Sequence, residues 1–220
     1  MPQTASVIAA DLRMESNQIP KYLGVLEGLQ LVTKRLPVGA RSDARSTQWK
    51  CDDHFVRFWF RFIQPYQDLL EAGTSARAHV ENIVVPQLPD HTAPVFEEVL
   101  TDWVRLRHDG KASSVGGWWG PALNARRAEK SRFTEEIDTV AVAGRTVLAA
   151  CEAKWTTKPL AASVLTSLLE HKLPAMAQSG FDVSKAEIIL ASRSGFTDGL
   201  HNLAVEHPNV VLVGANDVLG

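Results

Sequence analysis

The feature that most constrains this chain is a pair of apolar segments within residues 133–155, each interrupted by charged residues at defined positions. Branched residues such as Val140 and Val147 favour strands, and Gly144 between them supplies the dihedral angles that a turn needs. The segment therefore predicts a β-hairpin. Charged residues interrupt the apolar strands at Glu-Ile-Asp (136–138) and Glu-Ala-Lys (152–154).

The register of this hairpin decides which charged residues meet. Alternate side chains of a strand share a face, so Asp138 has the facing of Val140, while Glu152 and Lys154 share a face of the second strand. A three-residue loop, 144–146, sets Asp138 directly opposite Glu152. A loop that is one residue longer or shorter breaks the alignment, because a shift of one residue turns side chains to the other face.

Two carboxylates on one face repel each other, and they are costly to bury unless a cation pairs with them. A divalent cation is one solution, and oxygen ligands suit Mg²⁺ or Mn²⁺. Lys154 could position or deprotonate a water, or stabilise charge that develops on a phosphate. The pattern is typical of metal-assisted phosphodiester hydrolysis. The alternative is a solvated strand face with a salt bridge, which uses the same residue types.

At these residues the sequence resembles the PD-(D/E)XK nuclease superfamily. More closely, it resembles the domain of uncharacterised function found carboxy-terminal to the ATPase in archaeal-type AAA+/STAND ATPases. The segments that carry the resemblance are DDHFVRFWFRF (52–62), VFEEVL (95–100), GGWWG (116–120), EEIDTVAV (135–142) and CEAKW (151–155). They span most of the last three-quarters of the chain.

The resemblance implies a set of site residues. In the superfamily an acidic residue on the helix before the sheet joins the Asp and the Glu-x-Lys, and this role falls on Glu97, with Glu98 as the alternative. The implied catalytic residues are Asp138, Glu152, Lys154 and Glu97. The first two and Glu97 would also be the ligands of Mg²⁺ or Mn²⁺. The resemblance further implies an ATPase partner in cis or in trans, since no G-x-x-x-x-G-K-[ST] loop occurs in this sequence.

The segments after the hairpin indicate the fold class. A helix over 158–177, a strand over 187–191, a helix over 196–204 and a strand over 209–213 alternate. This order predicts an α/β fold with a mixed sheet flanked by helices. It is also the restriction-endonuclease-like order that the resemblance implies. We expect four regions: a partial winged helix (1–51), an aromatic connecting helix (52–73), a connector with three prolines (74–94) and a nuclease-like domain (95–220).

The amino-terminal region has the order of a winged helix that lacks its first helix. Two amphipathic segments, 4–14 and a second that Ser16 would cap and that runs to about Leu29, precede two short strands at 31–38 and 47–51. Such a module contacts either DNA or another protein. In the next region Asp52 or Asp53 would cap a helix to about Ala72, whose aromatic stripe predicts a buried core face.

Basic residues suggest where a nucleic-acid backbone would bind. Candidates are Lys34 and Arg35 in the winged-helix segment, and Arg126, Arg127, Lys130 and Arg132 in the densest basic run of the chain. A solvated loop is the alternative for that run. The net charge of −2 excludes a polybasic binder, so contact with DNA, the favoured nucleic acid, requires a local patch.

Composition and hydropathy bound the remaining possibilities. The sequence is 45% hydrophobic and 22% charged, as in ordinary globular proteins. No apolar run approaches the length of a bilayer span, and the start shows no signal-peptide pattern. The two cysteines, Cys51 and Cys151, are expected to be free thiols rather than a disulfide. We therefore expect a cytoplasmic protein without a membrane partner.

Overall fold

A computed structural model describes residues 2–40, 46–123 and 134–219. Within these residues the chain divides into two compact units. One comprises Met1–Leu36 and Ala40–His91, and the other comprises Pro37–Gly39 and Thr92–Gly220. We call them the amino-terminal and the carboxyl-terminal unit.

The amino-terminal unit begins with helices α1 (Ala5–Leu12) and α2 (Ile19–Gly28), followed by strands β1 (Val32–Arg35) and β2 (Gln48–Cys51). The strands form an antiparallel pair. The element order is the predicted one, while a winged-helix architecture stays a prediction. The predicted cap at Ser16 is wrong, because α2 begins three residues later, after Gln18, with proline in its first turn.

The aromatic segment is helical but not uniformly α-helical. Helix α3 (His54–Phe58) continues as a π-helical turn (Trp59–Ile63) and a 3-10 turn (Gln64–Tyr66) into α4 (Gln67–Glu71). Asp53 caps its start by accepting from the Val56 amide at 2.8 Å. The predicted buried stripe is wrong in part. Phe62 is fully buried, but Phe55 is 69% exposed and stacks on Trp59. A π turn adds a residue to the turn and rotates the later side chains away from the first.

The residues predicted to form a connector, 74–94, are helical. Helix α5 (Ala76–His79) leads through a π-helical turn (Val80–Val84) into α6 (Val85–Arg107). His79 is buried and donates through Nε2 to the Phe62 carbonyl at 2.8 Å. The three prolines at 86, 89 and 94 interrupted the apolar periodicity without ending the helix.

The carboxyl-terminal unit contains a five-stranded mixed sheet, which confirms the predicted α/β class. Its strands are β3 (Ser114–Pro121), β4 (Thr134–Ala143), β5 (Thr146–Lys154), β6 (Glu187–Ser192) and β7 (Val210–Gly214), and they lie in this order. The β3–β4 and β4–β5 pairs are antiparallel, and the β5–β6 and β6–β7 pairs are parallel. The finer, restriction-endonuclease-like assignment stays a prediction.

Helices cover both faces of this sheet. The helices are α7 (Ala162–Ser167), a π-helical turn (Leu168–Lys172), α8 (Leu173–Gln178), α9 (Asp198–Val205) and α10 (Ala215–Leu219). On one face, Leu165, Leu168, Met176 and Leu200 pack with Val140, Val147 and Ala150. On the other face, Phe96, Leu100 and Val104 of α6 pack with Ala141, Ala149 and Cys151. We call these the α7 face and the α6 face.

The central hairpin reaches the predicted alignment by another route. Its loop has two residues, not three, since Ala143 pairs with Thr146. The register then shifts between Val142, which pairs with Val147, and Ala141, which pairs with Ala149. Leu148 is therefore the extra residue of a β-bulge. Its effect is to keep Val147 and Ala150 both on the α7 face, and the same register continued sets Asp138 opposite Glu152.

The cysteines and the helix lengths bear on two further expectations. Both cysteines are free thiols, as predicted: Cys151 is buried and Cys51 is half-buried. Among residues 2–40, 46–123 and 134–219, no helix combines the length and the apolar character needed to cross a bilayer.

Candidate functional site

The charged residues of the central hairpin meet on the α7 face. The Lys154 ammonium lies 3.2 Å from Asp138 Oδ2 and 3.2 Å from Glu152 Oε2, so that one lysine bridges the two carboxylates. Lys154 ends β5 and Asp138 stands on the neighbouring strand β4. The Asp and Glu-x-Lys elements of the sequence pattern are thus brought together in space.

An irregularity in β4 positions Asp138. Against β3, Gly116 pairs with Val140 but Trp118 pairs with Ile137, so β4 holds one more residue than β3 between these pairs. The bulge disrupts the ladder beside Asp138, whose Oδ2 accepts the amide N–H of Ala153 at 2.9 Å. The carboxylate is therefore held by a backbone donor as well as by Lys154, which fixes its orientation.

A fourth residue, Lys172, completes the cluster and was not predicted. It is the last residue of the π-helical turn between α7 and α8, and its Nζ lies 2.5 Å from Glu152 Oε1. Each oxygen of Glu152 thus accepts from a different lysine. Two carboxylates and two ammonium groups form the cluster, and we call Asp138, Glu152, Lys154 and Lys172 the charged tetrad.

Burial sets the electrostatics of the tetrad. Glu152 is 1% exposed, and its burial, followed by the nearby Asp138, raises the pKa of its carboxyl above the ordinary value, against the opposing effect of the two lysines. Burial lowers the pKa of Lys154, but the adjoining Asp138 and Glu152 carboxylates outweigh it and raise that pKa above its usual range. Lys154 is therefore an ammonium at neutral pH. Of the roles predicted for it, charge stabilisation fits better than removal of a proton from water.

Glu97, the implied third acid, lies on α6, which packs on the opposite face of the sheet. The Thr101 hydroxyl, one turn further, donates to the Glu97 carbonyl and shares a 2.6 Å hydrogen bond with Thr139 beside Asp138. Among the described residues no group of three or more His, Cys, Asp or Glu side chains is arranged to hold a metal ion. Glu97, and equally Glu98, is therefore not assembled with Asp138 and Glu152 into a three-acid set.

The predicted nucleic-acid contacts fall in two places. Arg126, Arg127, Lys130 and Arg132 lie outside the described residues. Lys34 and Arg35 lie on β1 of the amino-terminal unit, where they pair in register with Trp49 and Gln48. Their role in binding stays a prediction.

Another basic residue lies beside the tetrad. Lys154 pairs in register with Ser192 at the carboxyl ends of the parallel strands β5 and β6. The next residue, Arg193, is exposed, donates its amide N–H to the Lys154 carbonyl at 3.1 Å and stacks its guanidinium 4.9 Å from the centre of the Trp155 ring. Arg193 therefore presents a positive charge at the edge of the sheet where β5 ends.

The carboxylate oxygens of Asp138 and Glu152 are the type of ligand that Mg²⁺ and Mn²⁺ prefer. Both contacts of Asp138 described here end on Oδ2, so that Oδ1 is the oxygen at which this residue would hold an ion. Glu152 would contribute one of its two oxygens. In the arrangement described, the two lysines supply the positive charge that the carboxylates require.

A family model of unknown function matches the segment of the chain that carries three of the four tetrad residues. Residues 59–167 match the model of DUF234, described as archaeal and bacterial proteins of unknown function. The matched segment includes Glu97, Asp138, Glu152 and Lys154, and ends just before the π-helical turn that carries Lys172. Neither the search of curated proteins nor the search of solved structures found a match.

Proposed function

We propose that the carboxyl-terminal unit is a metal-dependent nuclease module that hydrolyses phosphodiester bonds of nucleic acid. The observation that carries this proposal is the position of the Lys154 ammonium, 3.2 Å from both Asp138 and Glu152. The Asp and Glu-x-Lys pattern is common in sequences, but here its three charged groups converge on one face of a buried sheet. The fold class alone would not support a function.

In this proposal Asp138 and Glu152 hold Mg²⁺ or Mn²⁺. The ion, when bound, would polarise a phosphate oxygen and favour ionisation of a bound water. Glu97 keeps its proposed place as a third acid, although among the described residues it is not grouped with the other two. Lys154, charged at neutral pH, stabilises the negative charge that develops on the phosphate.

The substrate proposed is nucleic acid, with DNA as the first candidate. The exposed Arg193 beside Lys154 offers a contact for a backbone phosphate next to the one that is cut. The proposed partner is an ATPase, joined to this chain in cis or binding it in trans, and the proposed location is the cytoplasm.

A second function is favoured by the burial of Glu152. A carboxylate that is 1% exposed and paired on both oxygens is also what a structural ion network has. The unit would then bind nucleic acid or dock on an ATPase without hydrolysis, and the amino-terminal segment would lead as a DNA-binding winged helix.

Cleavage assays separate the two functions. The chain is incubated with single-stranded DNA, duplex DNA and RNA in the presence of Mg²⁺ or Mn²⁺, as the parent and as Asp138→Asn and Lys154→Met. We expect both substitutions to abolish cleavage while the protein stays folded by circular dichroism. The matched controls are Asp102→Asn and Lys185→Met, which make the same chemical changes at exposed positions, and both should cleave like the parent.

Two results would contradict the nuclease proposal. One is cleavage by a clean preparation of either site variant at the parent's rate. The other is an inactive parent that binds nucleic acid as tightly as Asp138→Asn does, which would establish the non-catalytic function instead.

A further inference from the structure

The charged tetrad balances its charges without a metal ion. Asp138 and Glu152 carry two negative charges, and Lys154 and Lys172 carry two positive charges. Lys154 lies within hydrogen-bond distance of both carboxylates, and Lys172 lies within that distance of Glu152. A divalent cation added to this cluster would therefore meet carboxylates that are already neutralised. It could take an oxygen of Glu152 only where an ammonium group gives up its position, because like charges at such short distances repel strongly.

Of the two lysines, Lys172 is the one placed to leave. Lys154 is tied to both carboxylates and extends from the same strand as Glu152. Lys172 reaches Glu152 from a helix, and it contacts that carboxylate through a single oxygen, Oε1. Its side chain is 20% exposed, less than the 35% of Lys154, but it extends from a helix rather than from the strand of Glu152, so that its flexible stem can turn to solvent without moving the sheet.

The backbone at Lys172 also differs from the helices around it. The residue ends a π-helical turn that runs from Leu168 and is flanked by the buried Leu173. π-helical turns redirect side chains and occur frequently at functional sites; the described residues include two others, at Trp59–Ile63 and Val80–Val84, but the one at Leu168–Lys172 ends on a tetrad residue. Here the turn places a lysine where the helix otherwise presents apolar side chains to the sheet, above Glu152.

We propose that Lys172 is the resident counter-ion of the metal-free site, and that it competes with the divalent cation for Glu152. In the metal-free protein Lys172 keeps the buried carboxylate neutralised and the sheet stable. When the cation binds, the Lys172 ammonium leaves Oε1 and turns towards solvent. This inference rests on the proposed function only in assuming that Asp138 and Glu152 bind a divalent cation.

If Lys172 has only a structural role, its removal should have the opposite effect on the affinity for the divalent cation. If Lys172 merely orients Glu152, its loss disorders a metal ligand, and affinity for the cation falls. If Lys172 competes, its loss frees the ligand and affinity rises. The sign of the change in metal affinity therefore distinguishes the two roles, and it does not require any catalytic activity.

The test is calorimetric titration with Mn²⁺ and Mg²⁺ at mildly alkaline pH, where the carboxylates are ionised. Lys172→Met removes the charge and retains a flexible apolar stem, and Lys172→Gln retains a hydrogen-bond donor in case the first variant does not fold. Lys172→Arg keeps the charge, and Lys185→Met removes an exposed lysine near the other end of β6. In Lys172→Met and Lys172→Gln the cation no longer has to break a charge-assisted hydrogen bond. We therefore expect both variants to bind it at least about tenfold more tightly than the parent. Lys172→Arg and Lys185→Met should bind the cation like the parent.

Thermal unfolding supplies a second measurement. Without metal, Lys172→Met should unfold at a lower temperature than the parent, because Glu152 loses a partner. Saturating Mn²⁺ should raise its unfolding temperature by more than it raises that of the parent, since the cation replaces the missing charge.

Each outcome decides the proposal. Tighter binding in Lys172→Met or Lys172→Gln supports it, even if the parent proves unable to cleave nucleic acid, in which case the nuclease proposal alone fails. Unchanged or weaker binding overturns it. If neither the parent nor the variants bind a divalent cation at millimolar concentration, both the competition and the metal-dependent function are refuted.

Discussion

Lys172→Met and Glu152→Gln remove opposite partners of one ion pair, and we expect the first to lower the free energy of unfolding by more than the second. Glu152 is 1% exposed and lies within the central strand, so that Lys172→Met leaves a buried carboxylate with Lys154 as its remaining cation. Breaking a buried pair from one side typically costs about 3–5 kcal/mol. Because Lys154 still neutralises part of the charge, we expect about 2–4 kcal/mol for Lys172→Met in the metal-free protein.

The reverse substitution, Glu152→Gln, should cost less. It leaves two lysines, but both are partly exposed, at 35% for Lys154 and 20% for Lys172, and can extend towards water. We expect about 1–2 kcal/mol, mostly from weakened hydrogen bonds. The double variant should then cost less than the sum of the single ones by about 2 kcal/mol, because the uncompensated charge is gone.

Urea denaturation in the presence of EDTA measures these costs, and hydrogen exchange in peptides from β5 assigns them to the carboxyl-terminal unit. Exposed Lys185→Met is the control and should be near the parent. Since burial raises the pKa of Glu152, acidification protonates it in the folded state, and the deficit of Lys172→Met should shrink as the pH falls. If Glu152→Gln costs as much as Lys172→Met, or if the two costs add within about 0.5 kcal/mol, an uncompensated buried charge is not the source of the Lys172→Met deficit.

Three further predictions concern the same unit. Arg107 donates two hydrogen bonds to Glu187 and lowers the pKa of that carboxyl, so Glu187→Gln should lose about 1 kcal/mol in urea denaturation at neutral pH. The loss should shrink as the pH falls from the ordinary pKa of about 4.5 through the lower pKa that Glu187 has in the folded protein. Arg193→Ala should weaken DNA binding and lower the slope of log affinity against log salt by about one, as measured by fluorescence anisotropy, and an unchanged slope would exclude a phosphate contact. Deleting Leu148 should retain calorimetric Mn²⁺ binding, since the bulge closes without altering the pairing beyond it, whereas one alanine inserted after Leu148 should abolish binding by turning Glu152 to the other face.

The alignment of Asp138 with Glu152 shows what alternation patterns can and cannot specify. A three-residue loop without a bulge and a two-residue loop with one extra residue in β5 lead to the same pairing beyond the bulge. The residues of this stretch are nearly all apolar and suit either face, so the pattern does not mark Leu148 as the extra one. The register could be predicted from Asp138 and Glu152, because the two carboxylates form one site only if they share a face. The length of the turn and the position of the bulge could not be predicted.

Helices that contain proline or π-helical turns were harder to predict than strands. The two hairpin strands and the last two strands, β6 and β7, are largely apolar runs, and each was located to within a few residues. The segment over 74–94 was predicted to be a connector because its three prolines disrupt the spacing on which helix prediction depends. A structure tolerates such residues where a π turn or tertiary packing supplies the missing hydrogen bonds, and single-sequence patterns do not show this.

The sequence pattern also did not predict that Lys172 belongs to the charged tetrad. Leu165, Leu168 and Met176 form the buried stripe of the α7–α8 segment, and Lys172 falls four residues after Leu168 and four before Met176. A lysine in the middle of an apolar stripe is costly to bury unless an anion lies opposite. The neighbouring strand offered such an anion in Glu152, which is itself anomalous among apolar residues. Two anomalies of opposite charge, on elements that the fold class packs together, predict each other, whereas each alone was explicable by a solvated surface.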